Sequence, residues 1–79
     1  MDAKQRAMAK KALQDAISLV GSQGKFARKL GVQQQHVSYW LNNNGLPAEK
    51  VAQAEQAVKE AGGLINRQQF RPDIFEAQP

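Results

Sequence analysis

One glycine, set between two short segments with apolar faces, constrains this chain more than any other feature. From Gln23 to Leu30, the residues Phe26, Ala27 and Leu30 recur at helical spacing; from Gln34 to Leu41, the residues Val37, Trp40 and Leu41 do the same. Gly31 stands between them, suited to the positive φ that stops a helix and turns the chain sharply. Two helices joined so closely cross steeply, and each must bury its apolar face against the other and against further partners. Ala27 falls where the two approach, a position at which a larger side chain would push them apart.

The remaining residues read as helices around this pair. A first helix is expected over about Lys4 to Val20, with Leu13, Ala16, Ile17 and Val20 inward; its first two turns, carrying Arg6, Lys10 and Lys11, are candidates for fraying. Gly21 ends it. Asn42, Asn43, Asn44 and Gly45 are turn chemistry after the third helix. Pro47 suits the first turn of a fourth helix that runs through Val51, Ala54 and Val58 to a stop at Gly62 and Gly63. Asn66 can cap one further turn over Arg67 to Phe70 before Pro72 breaks it. Leu64 and Ile65 suit a short extended piece. The fold class is therefore all-α, with four to five helices and a short C-terminal tail. The expected organisation is a basic extension over 1–11, a core domain over 12–63 and a tail over 64–79.

Composition narrows the function. Seventy-nine residues support one small core. The chain has no cysteine and one histidine, so thiolate chemistry and the usual metal-ligand sets lack their residues, and neither a metal nor a cofactor is implied. Neither a Ser-His-acid set at credible spacing nor a glycine-rich phosphate loop after a strand is present, so an enzyme is not expected. No apolar run is long enough for a membrane span and no secretory leader is seen, which points to the cytoplasm. No small-molecule ligand is expected. The net charge of +4 is unevenly spread: residues 16–48 hold Lys25, Arg28 and Lys29 and no acid, whereas residues 49–79 set four cations against five acids. A middle third without carboxylates suits a surface that faces a polyanion.

The segment QGKFARKLGVQQQHVSYWLN carries a family pattern: Gln23, Ala27, Gly31, Val37 and the large apolar Trp40 in one register. It resembles the helix-turn-helix of phage-repressor and Cro-like proteins. The stretches PAEKVAQAEQAVKEAGG and INRQQFRPDIF extend the likeness from about Ala12 to Phe75, where the chain is most similar to the small YdaS-type prophage regulators, which are also proposed antitoxins. The resemblance implies a Cro/repressor-like domain that binds double-stranded operator DNA as a pair of copies and represses prophage promoters. The alternative is an antitoxin that also acts through contact with a toxin protein.

On that likeness the third helix enters the major groove, and Gln33, Gln34, Gln35, Ser38 and Tyr39 are the candidate base readers. A glutamine amide offers a donor and an acceptor in one plane, matching adenine N6 and N7. The same glutamines also fit a solvated polar face, and Tyr39 also fits the core. Gln23, Lys25, Arg28, His36, Asn42, Asn43 and Asn44 are the candidate phosphate contacts; each also has a plain reading as a solvated or turn residue. Trp40 reads as core. Leu64, Ile65, Phe70, Ile74 and Phe75 read as spare apolar groups, available to close the core or to meet a second copy or a partner.

Overall fold

The structure is a computed structural model that describes residues 1–43 and 45–75. Five helices follow one another: α1 (Ala3–Val20), α2 (Gln23–Leu30), α3 (Gln34–Asn42), α4 (Val51–Glu60) and α5 (Arg67–Phe70), and no strand occurs among the described residues. Each expected helix is present. The stretch Leu64–Ile65 is a connector, not a strand.

Local chemistry explains where the helices start and stop. Asp2 caps α1 through its side chain, which accepts from the Gln5 N–H at 2.8 Å, while the Gln5 side chain accepts from the Asp2 N–H at 3.0 Å. The expected fraying end is thus a closed capping box. Ser22 caps α2, accepting from the Lys25 N–H at 3.2 Å. Gly31 takes φ 70°, ψ 30°, so its own N–H reaches the Arg28 carbonyl and that of Val32 reaches Ala27. Gly62, at φ 86°, ends α4 the same way, with the N–H groups of Gly62 and Gly63 on Lys59 and Val58. Both are Schellman ends, which satisfy carbonyls that a helix terminus otherwise leaves orphaned. Pro47 sits one step earlier than expected: it precedes a 3₁₀ turn over Ala48–Lys50 that leads into α4. Its missing N–H costs nothing there.

The core draws on every helix. Leu13 and Ala16 from α1, Phe26, Ala27 and Leu30 from α2, Val37 and Trp40 from α3, and Val51, Ala54 and Val58 from α4 are buried together with Leu46. Ile65 and Phe70 complete the same cluster, and Phe75 packs against it while partly exposed. Of the roles expected for the tail's apolar groups, Ile65 and Phe70 take that of closing the core; among the described residues of the tail only Leu64 and Ile74 are large apolar groups left well exposed. Arg71 fastens this end. Its guanidinium donates to the Leu46 carbonyl at 2.9 Å and grips Asp73 through two bonds of 3.0 and 2.8 Å. No helix among the described residues is long and apolar enough to cross a membrane.

Two outcomes are expected. A Cβ on Gly31 would meet no atom, so substitution there costs backbone strain alone. Gly31→Val should lose about 1–3 kcal/mol and roughly 5–20 °C in melting temperature, with Gly31→Asn losing less; an unchanged melt for Gly31→Val contradicts the turn. The second concerns acid. Hydrogen bonds from Arg71, partly opposed by burial, hold the Asp73 carboxyl below the usual carboxylate range. A depressed folded pKa stabilises the fold above the unfolded value, and that contribution fades as pH falls through the folded one. Wild type should thus lose its stability advantage over Asp73→Asn only below about pH 4, as thermal melts across pH will show.

Candidate nucleic-acid interface

The turn at Gly31 sets α3 so that Val37, Trp40 and Leu41 face the other helices. Helical geometry then places Gln35, Tyr39 and Asn42, at i, i+4 and i+7, on the opposite side. All three are exposed, Tyr39 at 64 %. The solvent reading of Tyr39 holds over the core reading, and Trp40, beside it, is core. Asn42 joins this stripe because α3 runs one residue further than expected. The missed signal was its spacing, seven residues after Gln35.

The other candidate readers are partly engaged with the protein. The Ser38 hydroxyl donates to the Gln23 side-chain oxygen at 2.9 Å, across the step between α3 and α2. This one bond joins a candidate base reader to a candidate phosphate contact. The Gln34 amide oxygen lies over Gly24, 3.6 Å from where a Cβ would stand. Gln33 is the N-cap residue of α3, and its N–H donates to His36 Nδ1 at 3.3 Å. His36 thus helps hold the helix start, and its acceptor nitrogen faces the backbone.

The cations and amides divide in the same manner. Arg28 and Lys25 are exposed on α2; the Arg28 Nε reaches only its own helix, at the Gly24 carbonyl, 3.5 Å away. Lys29, by contrast, pairs with Glu60 of α4 at 3.3 Å, so it is not one of the free cations suggested by the sequence. Lys50, at 3.3 Å, donates to the Leu30 carbonyl and complements the negative end of α2. The Asn42 and Asn43 amides donate to the Ser38 and Tyr39 carbonyls at 2.9 and 2.8 Å, which closes the end of α3. Asn44 lies outside the described residues. Among the described residues, no group of three or more His, Cys, Asp or Glu side chains could hold a metal ion.

The assembled surface is a helix with a polar, partly aromatic outer stripe, flanked by uncompensated cations on α2. Its donors and acceptors are side-chain amides and the Tyr39 hydroxyl, and no carboxylate comes from residues 16–48. Such a surface can hydrogen-bond flat edges in two directions and attract negative charge.

The bond between Ser38 and Gln23 gives a direct expectation. Ser38→Ala leaves the Gln23 oxygen without that partner and should cost about 0.5–1.5 kcal/mol in urea denaturation. A variant as stable as wild type would show that the bond does not hold α3 against α2.

A family model described as "Bacterial toxin YdaS" matches residues 13–79. No curated protein and no solved structure matches the chain.

Proposed function

Because the chain belongs to the YdaS family, we propose that it is a sequence-specific, double-stranded DNA-binding regulator, a Cro-like prophage repressor that works on the bacterial nucleoid. The observation that carries this reading is the exposed stripe of Gln35, Tyr39 and Asn42 on a helix whose other side is packed. A helix of this width fits the major groove, where glutamine and asparagine can bond adenine in two places at once and a tyrosine ring can meet a thymine methyl. Gln34 and Gln33 stand at the entry end. Gln23, Lys25 and Arg28 then meet the phosphate backbone beside α2, and two copies bind one near-palindromic site. Repression follows from occupying the promoter. This activity needs no catalytic group, cofactor or metal.

A second reading rests on the family description itself, which names a toxin. In it, the chain belongs to a toxin–antitoxin pair and acts through a protein partner as well as on its own promoter. Co-purification with the product of a neighbouring gene separates the two readings.

The decisive experiment selects bound duplexes from a random pool and measures affinity against salt. With Lys29 held by Glu60, Lys25 and Arg28 lead the electrostatic contacts. If two or three phosphates are neutralised per copy, the log–log salt slope is about −2 to −3 for each copy bound. Gln35→Ala should cost roughly 1–3 kcal/mol on the selected duplex and little on random DNA, whereas Gln23→Ala should weaken both alike. A slope near zero, or equal losses for Gln35→Ala on both duplexes, contradicts the assignment.

A further inference from the structure

Leu64 is the most exposed large apolar side chain described, at 84 %, and Leu19 stands beside it at 43 %. Both line one groove of about 480 Å³, between the end of α1 and the start of α5, together with Ile65 and Gln69. Leu19 also lines a second groove, of about 260 Å³, whose wall carries Lys29 and Glu60. Leu19 is thus a ridge between two depressions. The backbone at Gly63 lies directly beneath it, so that a Cβ there would collide with Leu19 Cδ1. No α3 residue lines either groove.

We propose that this surface docks a second copy of the chain about a two-fold axis; its role on DNA rests on the reading above. The shape carries the argument. A two-fold contact uses the same patch on both sides, so it needs a protrusion next to a depression that can receive it. Leu64 and the Leu19 ridge supply the protrusion, and the adjoining grooves supply the depression. Charge points the same way. The chain carries +4 overall, so copies repel wherever cations go unmatched. Here most charges are already matched: Lys29 pairs with Glu60, each half exposed, Asp15 with Lys11 and Arg67 with Glu55, while Lys59, in the groove on the other side of Leu64, stands outside these pairs. Each sign remains open to its opposite across the axis. An acidic partner would instead seek the unmatched cations of α2. The patch also leaves α3 uncovered, so pairing and groove binding are compatible.

The size of the patch sets the strength. Two leucines and their groove walls fall short of the 1,200 Å² or so typical of stable complexes. Pairing is therefore weak in free solution and becomes effective when DNA holds two copies side by side at an effective concentration of about millimolar.

The test uses Leu64→Lys, whose exposed position leaves the melting temperature unchanged as a check on folding. Sedimentation is run over a concentration series, and binding is measured to the selected duplex and to one of its half-sites. Wild type should self-associate at high concentration and bind the full duplex cooperatively. The variant should stay monomeric and lose about tenfold or more of that cooperativity, with half-site affinity retained or raised by the added charge. A variant that pairs and cooperates as wild type does overturns the proposal, as does a wild type that stays monomeric and binds both halves independently. Self-association that Leu64→Lys abolishes in a protein that binds neither duplex supports the docking surface and refutes the DNA reading instead.

Discussion

The orientation of everything this molecule displays depends on one left-handed residue. At Gly31 the chain satisfies the last carbonyls of α2 and reverses within three residues into α3. That geometry decides which side of α3 meets Phe26, Leu30 and the rest of the core, and hence which side is left outside. Ala27 and Val37, both buried, accept the close approach that follows. The Ser38–Gln23 bond then fixes α3 against the start of α2. Packing, capping and display are consequences of the same turn, and they agree with one another, as a uniquely folding sequence requires.

Most of the helical framework was legible because its signals are local. Gly31, Gly62 and Asn66 are punctuation that a reader of the sequence can act on, and the apolar spacing of α2, α3 and α4 needs no tertiary information. The end of the chain was harder. Phe70 and Ile65 look the same in sequence whether they close a core or wait for a partner, and only the path of the chain over Leu46 decides between the two. Arg71 was unreadable for a related reason: its partners are a carbonyl far along the chain and an acid two residues on. The Asp2–Gln5 capping box was visible in principle, as an acid followed three residues later by a glutamine, but the basic residues around it suggested fraying. In the candidate site, the outward placing of Gln35 and Tyr39 followed from periodicity, whereas Asn42's place beside them and the engagement of Ser38, His36 and Lys29 with other parts of the protein did not.

The cations show why charge counts along a chain are a coarse guide. Of the three in the acid-free middle, one is drawn into an ion pair with α4, and two remain on the exposed side of α2. Lys50, from outside that stretch, is recruited to the end of α2. Folding therefore sorts the charges by function: some hold helices against one another and others are left to act at a distance. The balanced area around Leu19 and the unbalanced area on α2 are two results of that sorting, and each favours a different kind of company.

Tyr39 and Trp40 are consecutive residues on opposite sides of the same short helix, one in water and one in the core. They are the only tyrosine and the only tryptophan in the chain. The molecule consequently carries two spectroscopically distinct reporters a single peptide unit apart. Indole emission follows the integrity of the interior, while the phenol absorbs and emits according to what touches the outer face. A titrant that perturbs the phenol and leaves the indole unmoved has met α3 without loosening it, and one that moves both has begun to take the helix apart.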